Sequence, residues 1–243
     1  MTSDKINVKI IKNIFLKFDK TYFNNLNLDK RTDVVLELIN NIIDQFGIPL
    51  INKSSVLFVD KTKLSEISAG YEPNKKEMIL NKDLLNKNHT DNIDLYFLLE
   101  NILHETMHLI QDFKNSYQSL YNVIGKPYYI FQKHEQDAYN STKDLMQQLR
   151  KIFNNSEFDM VVNFIENQIN NREISSRQDL KSRNYATDKF SIQKQISQIL
   201  PFYKDYHKFL DLEESKNKEK LIINNENTPN FHRNISIISF LQL

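Results

Sequence analysis

Two histidines four residues apart are the feature of this sequence that most directly suggests chemistry. His104 and His108 enclose Glu105, Thr106 and Met107. Residues four apart lie on one face of an α-helix, so both imidazoles can reach a single ion at the roughly 2.0–2.1 Å of a zinc–nitrogen bond. Glu105 is rotated by about 100° from His104, so its carboxylate can contact a metal-bound water instead of the metal. The spacing predicts a zinc site with Glu105 as general base.

The residues around this pair predict a helix with two distinct faces. With His104 at 0° on a helical wheel, apolar side chains gather around the opposite side. These side chains are Leu95, Leu98, Leu99, Ile102, Leu109, Ile110 and Phe113. An alternative interpretation, two histidines that are only solvated or satisfied in the core, does not explain why both lie on the separate stripe that includes Asn101 and Gln111. We therefore expect one face to join the core and the other to bind the ion.

A third ligand is needed, because a catalytic zinc takes three protein ligands and leaves one position for water. The chain has no cysteine, which leaves His, Asp and Glu as ligand types. A metzincin would need Gly at 111 and His or Asp at 114, whereas Gln111 and Lys114 occupy these positions. Glu135 and its neighbour His134 lie on a second predicted helix that could return antiparallel to the first. Adjacent residues on a helix diverge by about 100°, so we expect only one of the two to face the metal.

Composition narrows the class of protein. The 32 Lys and Arg balance 31 Asp and Glu for a formal charge of +1, which disfavours nucleic acid as a partner. Residues 1–20 lack the apolar core and cleavage site of a secretory signal, and no segment approaches the roughly 18 apolar residues of a membrane span. We expect a protein without a membrane span that is cytoplasmic or released without a usual signal peptide.

Hydrophobic periodicity predicts the elements around the motif. Residues 6–22 are apolar at helical spacing, although the run around Val8 could also be a strand. Residues 29–46 predict a helix, with Gly47 as its stop. Residues 54–60 predict a buried strand. Helices are then predicted from the cap candidates Thr90, Asp91 and Asn92 to about residue 115, and over residues 131–153.

An antiparallel strand pair is predicted upstream of the motif helix. Residues 67–71 and 77–81 are extended in character and flank a segment that contains Pro73 and Asn74, which favour a turn. The small residues Ala69 and Gly70, followed by Tyr71, would let a substrate strand pair with this edge of the sheet. A simple bend in a hairpin explains them equally well.

These elements divide the chain into two predicted regions. Residues 1–150 form the first, with the helices, the sheet and the metal-binding residues. Residues 151–243 form a helical C-terminal subdomain, with helices predicted over 157–170, 190–200 and 202–212, which could pack on the first region as one unit. Its Tyr, Phe, Lys and Asn content suggests a docking site for a protein partner.

The combined pattern resembles zincin metallopeptidases of the gluzincin type. The resemblance covers about residues 29–150 and is carried by the HExxHxxQ stretch from His104 to Gln111 and by Glu135 followed by Asp137 and Ala138. It implies an α+β, zincin-like fold, with a small mixed or antiparallel sheet packed on the active-site helix and a mainly helical part after it. It also implies one Zn²⁺ per chain, held by His104, His108 and Glu135, and cleavage of a peptide or protein substrate.

Further site residues are weighed against this expectation. A donor to the tetrahedral oxyanion is expected, and second-shell groups are expected to orient the ligands. Candidates for the donor are Tyr128, Tyr129, Tyr139 and His207, and candidates for the second shell are Asp137 and Gln111. Many gluzincins carry Asp four residues after the ligand Glu, where this chain has Tyr139. The competing function is a zincin-like binding or regulatory module whose metal is structural or absent.

Overall fold

The computed structural model describes residues 6–59, 69–73, 75–114 and 130–182, together with 188, 191, 192 and 194. These residues divide into two compact units. The first takes its residues from Met1–Gln118 and Lys133–Ile174, and the second from Ser119–Gln132 and Ser175–Leu243. The sheet and the metal-binding candidates lie in the first unit. The sequence-based division at residue 150 stays a prediction.

The N-terminal segment is helical. Helix α1 spans Val8–Phe15, a 3-10 turn spans Leu16–Phe18, and α2 spans Lys20–Phe23. The alternative strand around Val8 is therefore wrong, because the Asn7 side chain accepts a hydrogen bond from Lys9 N and starts a helix there.

Helix α3, Leu28–Asp44, confirms the helix predicted over residues 29–46. The Asn27 side chain caps its start by accepting from Lys30 N. Its end is a Schellman-type turn, in which Gly47 has φ +67° and Ile48 N donates to Ile43 O over 3.2 Å. The positive φ is the reason glycine stands at this stop.

A small mixed sheet follows α3. Strands β1, Val56–Val59, β2, Ala69–Glu72, and β3, Glu77–Asn81, are arranged in the order β1-β3-β2. Strand β2 pairs antiparallel with β3, so the predicted hairpin is confirmed. Strand β1 runs parallel to β3. The buried strand predicted over residues 54–60 is present but only partly buried: Val56 is buried, Leu57 is exposed, and β1 lies at the side of the described sheet.

A buried arginine organises the approach to the motif helix. Arg31 of α3 donates to the carbonyl oxygens of Phe23, Leu26, Leu85 and Lys87 at 2.7–3.1 Å. Leu85 belongs to the short helix α4, Lys82–Asn86. A second tie runs through Asn24, whose side chain bonds both the carbonyl and the amide of His89. We call Arg31, Asn24 and His89 the Arg31 junction; it fixes the chain just before the motif helix begins.

The motif helix α5, Ile93–Phe113, packs against α3, β2 and the later helix α6. Of the cap candidates, Asp91 caps it by accepting from Ile93 N, whereas the Asn92 side chain accepts from Lys20 N and donates to Glu157. The predicted apolar stripe is confirmed. Leu95, Leu98, Leu99, Ile102, Leu109 and Ile110 are all buried, and Phe113 is partly buried against the core.

Two further helices complete the described part. Helix α6 spans Lys133–Phe153, and Ala138, Leu145, Met146 and Leu149 are buried on its core side, as predicted. Helix α7 spans Ser156–Ser182, which is longer than the predicted helix over residues 157–170. The fold is α+β, mostly helical with one three-stranded sheet among the described residues. None of the helices described here combines the length and apolar character needed to cross a membrane.

Candidate metal centre

Three buried side chains from two helices converge on one point. His104 and His108 extend from α5, and Glu135 extends from the first turn of α6. The two Nε2 atoms lie 3.1 Å apart. Glu135 Oε2 lies 3.6 Å from His104 Nε2, and Oε1 lies 3.2 Å from His108 Nε2. Packing of α5 against α6 therefore brings together all three residues that the resemblance implied as ligands.

These distances fit a tetrahedral ion. Ligand atoms placed 2.0–2.2 Å from a tetrahedral metal are separated from each other by roughly 3.3–3.6 Å, close to the 3.1, 3.2 and 3.6 Å found here. Both oxygens of Glu135 are buried and meet no hydrogen-bond donor of acceptable geometry among the described residues. A buried carboxylate in that condition is costly unless a cation satisfies it. This group could hold a metal ion.

Gln111 orients one of the imidazoles. His108 Nδ1 donates to Gln111 Oε1 over 2.9 Å, while Gln111 Nε2 donates to the carbonyl oxygen of His134 over 2.8 Å. Because Nδ1 carries the proton, the lone pair of neutral His108 lies on Nε2, the atom that faces Glu135. Gln111 also joins α5 to the residue just before Glu135. Its contacts are those expected of the second shell.

Tyr139 holds the other imidazole by packing. Its ring lies 4.4 Å from the His104 ring, with an angle of 38° between the planes. His104 Nδ1 is buried and has no hydrogen-bond partner in the part of the chain described here. Where many gluzincins place an aspartate, this chain places an aromatic ring, so contact area instead of a hydrogen bond fixes His104.

Glu105 lies beside the group without joining it. Its side chain is 7% exposed and forms no hydrogen bond or ion pair among the described residues. Burial raises the pKa of Glu105 to about 8, with the charges of Glu135 and Glu100 adding to the effect and that of His108 opposing it. A carboxyl group with a pKa near neutrality can both accept and return a proton.

The three converging side chains strongly shift one another's pKa values. Burial raises the pKa of Glu135, but the three imidazoles of His104, His108 and His134 together hold it far below its usual range. Burial lowers the pKa of His108, but Glu135 raises it to about 9. Burial is the main reason that the pKa of His104 is lowered. The centre is negative at Glu135 and attracts positive charge, which here comes from His108.

His134, the rival third ligand, also approaches the centre. Its Nε2 lies 3.2 Å from Glu135 Oε1, and its ring lies 5.6 Å from that of His108. The group that could hold a metal ion contains Glu135 and not His134, in line with the expectation that only one of the two faces the metal. The carboxylate of Glu135 lies near His104, His108 and His134.

Two charged residues at the centre had not been predicted. Glu100 lies one turn before His104, and burial raises its pKa to about 7. Arg172 of α7 donates from Nη1 to Tyr139 Oη over 2.7 Å. Glu100 could have been found from the sequence, because it lies four residues before His104 and therefore on the same face of the motif helix. No local pattern marks Arg172, because a long helix from a different part of the chain delivers it.

The proposed substrate edge is formed as a strand. Ala69, Gly70 and Tyr71 lie in β2, which pairs on one side with β3 and occupies an outer position among the described strands. A Cβ atom at Gly70 would meet nothing within 4 Å, so the space beside this glycine is open. Tyr71 Oη donates to Asp112 Oδ2 over 2.8 Å and attaches β2 to the motif helix. Substrate pairing at this edge stays a prediction.

The remaining candidates have no demonstrated place in the centre. Asp137 is half-buried and forms no hydrogen bond or ion pair among the described residues, so it gives none of the expected second-shell support. Tyr128, Tyr129 and His207 lie outside the described residues, as do the helices predicted over 202–212 and most of 190–200.

Comparison with known proteins adds no relative, since no family model, no curated protein and no solved structure matches the chain. Its activity must therefore be inferred from the geometry of its own site.

Proposed function

We propose that this protein is a zinc-dependent metallopeptidase of the gluzincin type. The observation that carries the proposal is the buried group of His104, His108 and Glu135, in which the two Nε2 atoms lie 3.1 Å apart and the nearest carboxylate oxygens lie 3.6 Å and 3.2 Å from them. Two imidazoles and one carboxylate on two packed helices are the ligand set of catalytic zinc in the thermolysin class of hydrolases. The motif order along the chain, two histidines and then a downstream glutamate, supports the same class.

The donor types favour zinc over other ions. Imidazole nitrogen is a poor ligand for Mg²⁺ and Ca²⁺, which prefer oxygen atoms. Three protein ligands leave one tetrahedral position for a water molecule or substrate. When bound there, zinc would lower the pKa of a coordinated water toward about 7 and polarise the carbonyl of the scissile bond.

Residues of the chain supply the proton transfers and the orientation. Glu105 takes the proton from the attacking water and delivers it to the nitrogen of the leaving amine, a role suited to a buried carboxyl with a pKa near neutrality. Gln111 accepts from His108 Nδ1, so the neutral imidazole that binds a metal would have its lone pair on Nε2, and Tyr139 packs on the ring of His104. Tyr139 also accepts a hydrogen bond from Arg172, which leaves its own hydroxyl proton available to donate to the tetrahedral oxyanion.

The surrounding fold supports the same function. Strand β2 is the outer strand of the described sheet and packs against the motif helix α5. The edge of β2 that is unpaired among the described strands is therefore close to the motif helix. An extended peptide that adds to this edge would present its backbone alongside the motif helix. This is the zincin-like arrangement that we propose for the first unit.

The direct test is the substitution Glu105→Gln, which keeps size and removes the base. We expect the variant to bind about one zinc per chain, as the wild type does, and to lose peptide cleavage by roughly 10²–10⁴-fold. Metal content is measured by mass spectrometry and cleavage with a mixed peptide library. Glu166→Gln is the matched control, at a half-buried carboxylate of α7 that accepts from Gln147 Nε2, and should cleave normally. Unchanged cleavage by Glu105→Gln would exclude the mechanism.

A second function is favoured by one observation. His134 Nε2 lies 3.2 Å from Glu135 Oε1 and could become a fourth protein ligand. Four protein ligands are typical of structural zinc, so the chain would then be a zincin-like binding or regulatory module. In that case His134→Ala would weaken zinc binding as strongly as His104→Ala. In the peptidase, His134→Ala should weaken it much less.

A further inference from the structure

One arginine near the candidate metal centre has no anionic partner among the described residues. The Arg172 side chain is exposed, and within the described residues its only hydrogen bond goes to the neutral phenol of Tyr139. A guanidinium carries five N–H donors in a planar fork, so four remain for a ligand or solvent. No carboxylate of the described chain lies within ion-pair distance of it, although its charge reaches Glu100.

The other described arginines are used differently. Arg31 is buried and bound by carbonyl oxygens, Arg150 pairs with Asp159, and Arg177 lies over an aromatic ring. Each of these three arginines makes a contact that stabilises the fold. The single contact of Arg172 leads instead to the side chain that packs on a candidate metal ligand.

Arg172 lies on the accessible side of the centre. His108 and Glu135 are 2% and 0% exposed, whereas His104 retains 8%. The groups around His104 are more open, since Tyr139 and Glu100 are half-buried and Arg172 is exposed. A substrate that reaches the centre from this side would meet the guanidinium, which is joined to His104 through the ring of Tyr139.

We propose that Arg172 binds a carboxylate of the substrate next to the scissile bond, so that the site selects acidic substrates. This inference rests on the proposed peptidase function. The fork of an arginine matches a carboxylate with two parallel hydrogen bonds, a geometry that lysine cannot supply. Glu100 and Glu105 are the acidic neighbours of Tyr139 besides Glu135, and they oppose an anion when ionised. The carboxylate therefore docks at the guanidinium and away from these two groups.

Two sources can supply this carboxylate, an Asp or Glu side chain or the C-terminal carboxylate of a peptide. Zinc-loaded wild type and Arg172→Gln are incubated with a proteome-derived peptide library, and the cleaved bonds are identified by mass spectrometry. We expect the wild type to prefer either Asp and Glu at one flanking position or bonds adjacent to a free C-terminus, by at least tenfold. Arg172→Gln should lose this preference and Arg172→Lys should recover only part of it. The control Lys151→Gln, an exposed cation on α6, should keep it.

A binding measurement separates this inference from the peptidase function. N-acetylglutamate α-amide carries only a side-chain carboxylate, N-acetylglutamine carries only an α-carboxylate, and N-acetylglutamine amide is neutral. Calorimetric titration should show that the preference for one of the two acids over the neutral probe is at least fivefold larger in wild type than in Arg172→Gln. Any affinity that the carboxylate gains by contacting the metal is the same in both proteins and cancels when the two are compared.

The outcomes are distinct. Cleavage without a preference for carboxylates, or a preference that survives in Arg172→Gln, overturns the role of Arg172 and leaves the peptidase standing. Absence of cleavage together with Arg172-dependent binding of an acid overturns the peptidase and supports the anion site. Equal binding of all three probes to the wild type overturns the anion site.

Discussion

The metal centre and the Arg31 junction are both buried, polar and contain histidine, but they differ in how their charged groups are satisfied. Arg31 has carbonyl oxygens of four residues at 2.7–3.1 Å, and no carboxylate shares the junction. Glu135 has imidazole nitrogens at 3.2–3.6 Å, and its oxygens lack well-aligned donors among the described residues. The guanidinium of the junction is satisfied by the chain's own carbonyl oxygens, although both ring nitrogens of His89 lack hydrogen-bond partners among the described residues. The centre, in contrast, has the spacing of a site that a cation completes.

This difference leads us to expect that the junction serves the fold and that the centre serves the proposed chemistry. A buried charge is compatible with a stable structure when its hydrogen bonds are made. The guanidinium of Arg31 makes such hydrogen bonds to four carbonyl oxygens. The centre keeps three groups of perturbed pKa close together, which costs stability unless it is compensated. We therefore expect substitutions in the junction to change folding and substitutions in the centre to change metal binding.

The largest expected effect is on stability, from Arg31→Met. The substitution leaves several buried carbonyl oxygens without donors and should lower the free energy of unfolding by about 3–5 kcal/mol. Urea unfolding of the metal-free protein measures it. Arg150→Met, at a more exposed ion pair, is the control and should cost about 1 kcal/mol or less. If zinc affinity of the folded fraction also fell with Arg31→Met, the two regions would not be separate.

Next comes the effect of Glu135→Gln on metal affinity. Loss of the carboxylate removes a charged ligand, so the zinc dissociation constant should rise by more than about 100-fold, beyond the 10–100-fold typical of outer-shell substitutions. Competition with a chromophoric chelator gives the constant. Retention of wild-type affinity would show that Glu135 is not a ligand, and a matching loss in His134→Ala would move that role to His134.

A smaller effect is expected from Gln111→Ala. The side chain orients His108 and ties α5 to α6, so zinc affinity should fall by about 10–100-fold while the helical circular dichroism stays unchanged. Gln148→Ala, on the exposed side of α6, serves as the control. An affinity equal to that of the control would remove Gln111 from the second shell.

The smallest effect concerns the response of the junction to acid. Burial lowers the pKa of His89, and the charges of Lys87 and Arg31 lower it further, while Asp94 opposes them. In the unfolded chain His89 has its ordinary pKa of 6.5, so below that pH it binds a proton more readily than in the folded chain. This contribution to stability is present above pH 6.5 and is lost as the pH falls toward the folded pKa, by at most about 1.4 kcal/mol per pH unit.

His89→Gln isolates this term. In chelator-treated protein, the variant should lose less stability than the wild type between pH 7 and pH 5, as followed by thermal or urea unfolding. Equal losses in the two proteins would mean that the acid sensitivity arises elsewhere, at the centre or at other carboxylates.

Much of the centre could be predicted because its chemistry is local. Positions 104, 105 and 108 lie within two turns of one helix, so helical periodicity alone relates their side chains. Glu135 required a resemblance, since only the packing of α6 on α5 brings it within 3.2 Å of His108. The antiparallel pairing of β2 with β3 could also be predicted from local sequence, because a short turn joins the two strands.

What could not be predicted depends on contacts between distant segments. The parallel pairing of β1 with β3 is set by tertiary packing, so a run of four apolar residues suggested a buried strand where Leu57 is exposed. No local pattern marks Arg31 either, because the carbonyl oxygens of Leu85 and Lys87 that it binds lie 54 and 56 residues along the chain. Arg172 reaches Tyr139 across 33 residues of sequence, and no pattern in the sequence carries that information.

The central claim is tested most directly by the anomalous scattering of zinc in crystals of the zinc-loaded protein. We expect one ion per chain within about 2.0–2.2 Å of His104 Nε2, His108 Nε2 and a Glu135 oxygen, with a water molecule in the fourth position. An ion bound elsewhere, or one whose fourth ligand is His134, would contradict a catalytic centre at this site.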